Sequence, residues 1–109
     1  SGCEKKLALV ILDTTRATLL LNPNTKRRKL EIQMQATNVD AGNTGRVHLG
    51  FALQPNSTVG SPGQGTVLIQ GSSISEPSNN LPLDERYKGS IWAISSVANQ
   101  SLIVEEENE

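Results

Sequence analysis

Apolar residues recur at every second position in two segments of this chain, Leu30-Glu31-Ile32-Gln33-Met34-Gln35 and Val47-His48-Leu49-Gly50-Phe51. Successive side chains of an extended strand point to opposite faces, so each segment buries one face and wets the other. Leu30, Ile32 and Met34 are expected to face inward, and so are Val47, Leu49 and Phe51. The stretch Thr37 to Arg46, with Gly42, Asn43 and Gly45, reads as a loop joining the two as antiparallel strands. Tyr87 to Ser95, followed by Asn99-Gln100 and then Ser101 to Val104, reads as a final hairpin.

The remaining segments have the same character. Lys6 to Leu12 and Thr18 to Leu21 are short apolar strands separated by the turn signal Asp13-Thr14-Thr15. Asn22-Pro23-Asn24 is a second turn, because proline fixes φ and asparagine tolerates left-handed geometry. The basic block then runs into a strand from Lys29 to Ala36, and its partner spans Arg46 to Leu53. Gln54 to Gly65 holds two prolines and three glycines and reads as an exposed loop. Thr66 to Gln70 is a strand ended by Gly71, Ser73 to Glu76 is an edge strand, and Leu83 to Tyr87 is expected to form one helical turn. Seven to eight short strands with turns between them predict an all-β fold, a single small antiparallel β-sandwich of jelly-roll type. Residues 1–16 form an N-terminal arm or first strand, 17–107 the sandwich, and 108–109 an acidic end.

At 109 residues the chain supports one core. Phe51, Tyr87 and Trp92 are its only aromatic residues, so aliphatic side chains must fill that core, and help from neighbouring subunits is attractive. The net charge of −1 creates no overall field favouring nucleic acid or an anionic membrane. The lone Cys3 allows neither an internal disulfide nor a cysteine zinc cage and is expected to be a free thiol. No stretch approaches the roughly 20 apolar residues of a membrane helix, and the run Leu7 to Leu12 is short for a signal-peptide core. These features predict a soluble protein made in a reducing cytoplasm.

Catalytic constellations are weak. His48 is the single histidine and has no second histidine or cysteine with which to hold a metal; its place opposite Val47 and Leu49 predicts a solvated or intersubunit face. Asp13, Glu31, Asp40, Glu76, Asp84 and Glu85 are the carboxylates available for an acid–base pair, and none stands in a recognisable setting. Gly60 to Gly65 lacks the Lys-Ser/Thr that a phosphate loop requires. Trp92 sits in a strongly apolar strand, which predicts a core or interface role over a sugar-stacking platform with Tyr87. The chain is therefore read as a non-enzyme with no cofactor and no metal.

The charged segments are the candidate binding residues. Lys26, Arg27, Arg28 and Lys29 form one cationic block, Glu105, Glu106 and Glu107 belong to an acidic tail, and Lys5 and Lys6 lie in the N-terminal arm. Few aromatic side chains accompany the block, which argues against direct nucleic-acid binding. It is expected to meet an acidic protein surface, such as the Glu105–Glu109 tail, on another subunit.

Several pieces together resemble the small β-sandwich accessory proteins of tailed-phage virions. They are Asn22-Pro23-Asn24 with basic residues running into Leu30-x-Ile32-Gln33, Val47-x-Leu49-Gly50-Phe51, Tyr87-Lys88-Gly89-x-Ile91-Trp92-Ala93-Ile94, and Gln100-Ser101-Leu102-x-Val104-Glu105-Glu106. The likeness covers about residues 20 to 107. It implies a structural virion component, foremost a capsid decoration or cement protein bound to the major capsid protein. A homotrimer suits local three-fold junctions of a capsid. The alternative is a carbohydrate- or receptor-binding module of a phage fibre or tail.

Overall fold

The computed structural model describes residues 4–35, 43–51, 66–76 and 87–109. They form eight strands and no helix: β1 (Glu4–Ile11), β2 (Thr18–Leu21), β3 (Arg27–Gln33), β4 (Val47–Phe51), β5 (Val67–Leu68), β6 (Ser73–Glu76), β7 (Ile91–Ser95) and β8 (Ser101–Asn108). Two antiparallel four-stranded sheets result, β1-β8-β3-β6 (sheet A) and β2-β7-β4-β5 (sheet B). The pairs β1/β8, β2/β7, β3/β6 and β4/β5 are those of one long antiparallel ribbon folded over on itself, the strand order of a jelly roll.

That winding corrects two expectations about neighbours. β7 and β8 do not form a hairpin: β7 lies in sheet B and β8 in sheet A. Likewise β3 and β4 belong to opposite sheets, so the alternating segments face each other across the core instead of pairing edge to edge. Alternation fixes which face of a strand is buried, but it carries no information about the hydrogen-bonding partner. Of the described strands, only β4 and β5 are both consecutive and in the same sheet. The helical turn expected over Leu83 to Tyr87 and the loop over Gln54 to Gly65 lie outside the described residues, apart from Tyr87 itself.

The core is aliphatic. Leu30, Ile32 and Met34 from sheet A meet Val47, Leu49, Leu68, Ile91 and Ala93 from sheet B, with Leu12, Leu102 and Val104 completing the cluster. Burying each large aliphatic side chain contributes roughly 1.5–3 kcal/mol. Phe51 and Tyr87 pack edge to face at 5.1 Å on its margin.

Two buried amides tie the arches between the sheets. Gln100 Oε1 of the side-chain amide accepts the Thr44 and Gly45 N–H groups at 2.7 and 2.8 Å. Asn43 donates to the Gln35 and Ser101 carbonyls and accepts the Ser101 N–H. Asn99, in the β7–β8 arch, adopts φ 63°, a left-handed conformation that asparagine enters at lower cost than most residues.

Candidate interaction surface

The basic block begins β3 and the acidic tail ends β8, and the two strands pair antiparallel within one chain, Lys29 opposite Glu107 and Leu30 opposite Glu106. A register shift between Arg27 and Lys29 gives consecutive cations different surroundings. Arg27 is 1% exposed. Its Nε donates to Glu106 Oε2 at 2.8 Å, its Nη1 to the Tyr87 and Gly89 carbonyls, and its Nη2 to the Asn22 carbonyl. One guanidinium thus joins β8, the approach to β7 and the Asn22-Pro23-Asn24 turn. The turn is fixed further by Asn24, which donates from Nδ2 to Asn108 and accepts the Lys26 N–H at its Oδ1.

The expectation of an outward-facing block is therefore corrected at Arg27, whose side chain is a structural bolt. Arg28 pairs with Glu107 at 3.2 Å with both partners partly exposed. The acidic surface met by these two arginines is that of their own chain. Lys26 and Lys29 are exposed and available to an outside partner. Glu105 stands on the outer face of sheet A, opposite Leu7 on one side and Glu31 on the other. Lys5 and Lys6 occupy register positions opposite Glu107 and Glu106 at the start of β1.

Other expected sites fare differently. His48 is fully buried, which corrects the solvated face expected for it: His48 lies opposite Ile94, itself 3% exposed, so the outer side of sheet B is covered at this point. Trp92 is partly buried, stands between Leu19 and Gly50 in the register, and donates to Ser90 Oγ. Tyr87 donates its hydroxyl to the Ser90 carbonyl at 2.6 Å. Asp13 is exposed, and hydrogen bonds from the Thr15 backbone and hydroxyl hold its carboxyl below the ordinary range. Among the described residues, no group of three or more His, Cys, Asp or Glu side chains is placed to hold a metal. Asp40, Asp84 and Glu85 lie outside them.

The sequence did not single out the most exposed apolar row among the described residues. Leu7, Leu9 and Ile11 are 68%, 64% and 62% exposed and line the outer face of β1, one of the two edge strands of sheet A. The uninterrupted run Leu7 to Leu12 carries no alternation that would mark one side as wet. Behind β1, a cleft of about 460 Å³ opens between β1 and β2, edge strands of the two sheets, with Lys6, Ala8, Leu20, Asn22, Asn24 and Glu106 among its walls.

No protein-family model matches the chain, and neither a curated protein nor a solved structure does. The likeness to phage accessory proteins accordingly rests on the sequence segments alone.

Proposed function

We propose that this chain is a non-enzymatic structural protein of a tailed-phage virion, a capsid decoration protein that acts as a homo-oligomer at junctions between major capsid subunits. The observation that carries this reading is the exposed row Leu7, Leu9 and Ile11 beside a strand edge that no other described strand pairs, a surface that monomeric proteins ordinarily cover or charge. Lys29 in β3 and Lys26 just before it add exposed cations near the same sheet. Jelly rolls occur in viral shells and in lectins alike, so the fold is compatible with the reading but does not choose it. Shell stabilisation follows from area: each bound subunit adds contacts that must break before neighbouring capsid subunits separate. Its localisation is then the capsid surface, after synthesis in the host cytoplasm.

The test is co-sedimentation with expanded capsids of the phage that encodes the protein. Saturable binding and a higher temperature of capsid disruption are expected; free protein left in the supernatant at all concentrations would sink the reading. The second reading, a glycan- or receptor-binding module, draws on the cleft beside Lys6, where the Asn22, Asn24 and Asn108 amides and the Glu106 carboxylate offer hydrogen bonds of the kind sugars take. Specific signals on a glycan array, lost in Asn24→Ala, would favour it over shell binding.

A further inference from the structure

We propose that β1 pairs antiparallel with β1 of a second copy about a two-fold axis through Ala8, joining two A sheets into one of eight strands. This rests on the reading of the chain as a self-assembling structural subunit and names its first partner.

Hydrogen-bond parity makes the edge competent. Leu12 N–H donates to the Gln100 carbonyl at 2.9 Å, continuing the register that sets Val10 opposite Leu102 and Ala8 opposite Val104. Hydrogen-bonded and non-hydrogen-bonded pairs alternate along an antiparallel ladder, so the backbone groups of Lys6, Ala8 and Val10 face β8. Those of Lys5, Leu7, Leu9 and Ile11 face the open edge. The residues offering free N–H and C=O groups are thus the same ones whose apolar side chains stand exposed on the outer face.

The other edges are blunted by their shortness: β2 and β6 have four residues and β5 has two, whereas β1 has eight. Edge lysines discourage such pairing, and β1 carries them only at its start.

Self-complementarity selects the occupant. Centred on Ala8, the antiparallel pairing sets Leu7 opposite Leu9 of the second copy and Lys5 opposite its Ile11, matching edge-facing residues with edge-facing residues. No like charges oppose one another. The cationic start of each strand instead reaches the end of the other, where Asp13 stands exposed. A parallel pairing in register would place Lys5 against Lys5 and Lys6 against Lys6, which costs free energy. The seam is isologous and leads to a dimer, where the sequence alone led to a three-fold expectation.

The test uses the full chain. Light scattering at about 100 micromolar should give twice the 11.7 kDa chain mass, with dissociation in the micromolar range expected of a small interface. Leu9→Pro removes an N–H that β8 does not use and should yield a folded monomer. Should that variant fail to fold, Leu9→Lys, a change at an exposed position, should weaken the dimer at least about tenfold. Ala8→Cys in a Cys3→Ser background should form a reducible cross-linked dimer, because directly opposed non-hydrogen-bonded residues have Cβ atoms about 4.5–5.5 Å apart. A monomeric wild type, a dimer indifferent to both Leu9 changes, or no cross-link at position 8 overturns the pairing. A monomer that still binds capsids defeats this inference alone; a dimer that binds none defeats the capsid reading alone.

Discussion

Replacing Arg27 with methionine keeps much of its apolar stem but strips a donor from Glu106 and from the carbonyls of Asn22, Tyr87 and Gly89. Removing one partner of a buried ion pair costs about 3–5 kcal/mol, and urea unfolding of Arg27→Met is expected to show a loss of that order. Arg28→Ala removes a pair exposed to water on both sides and should cost under about 1 kcal/mol. Nothing in the run Lys26-Arg27-Arg28-Lys29 distinguishes these fates, because four adjacent cations look equally solvated until a register shift turns one of them inward. A double charge reversal at Arg27 and Arg28 would consequently test folding before it tested assembly. Gln100→Ala leaves the Thr44 and Gly45 N–H groups without their acceptor and is expected to cost about 2–3 kcal/mol. Asp13 gives a signed pH response. Its folded-state carboxyl is the stronger acid, so its contribution to stability is complete above the unfolded pKa and disappears as the pH falls through the lowered folded value. Carboxyl NMR titration should find Asp13 below the ordinary aspartate range in the wild type and closer to it in Thr15→Val.

Strands were legible where local pattern suffices. Thr18–Leu21 and Ser73–Glu76 have the limits that their apolar content and flanking turns suggest, and Leu30, Ile32, Met34, Val47 and Leu49 are all buried as their alternation requires. Partners were not legible, since Ser96 to Gln100 serves equally well as a hairpin loop or as an arch between sheets. The arch is chosen by buried contacts far away in sequence, those of Gln100 with residues 44 and 45. Asn99 offers a check at this scale: Asn99→Gly should be close to neutral, whereas Asn99→Val forces a β-branched side chain into φ 63° and should cost at least about 1–2 kcal/mol by thermal unfolding. The edge character of β1 was likewise invisible, because an unbroken apolar run is what a doubly covered strand also displays.

Across the molecule, β8 is an inner strand of sheet A, flanked by β1 and β3, so residues near one end of the chain organise residues near the other. Pairings this distant in sequence fold slowly, because the long loop must close before its contacts form. A chain ending at Gln100 loses the partner of both β1 and β3 and is expected to lack the cooperative unfolding transition and dispersed amide spectrum of the whole protein. The same pairing sets Glu4 directly opposite Asn108, which puts the points where the chain enters and leaves sheet A about 5 Å apart. A sandwich with side-by-side ends behaves as a plug-in cassette: it can be spliced into the surface loop of an unrelated host without prising that loop open, and a short linker across the gap would allow the chain to be cut and restarted elsewhere. Chain joined at Glu4 and at Asn108 would leave sheet A at one corner, beside the Arg27 bolt.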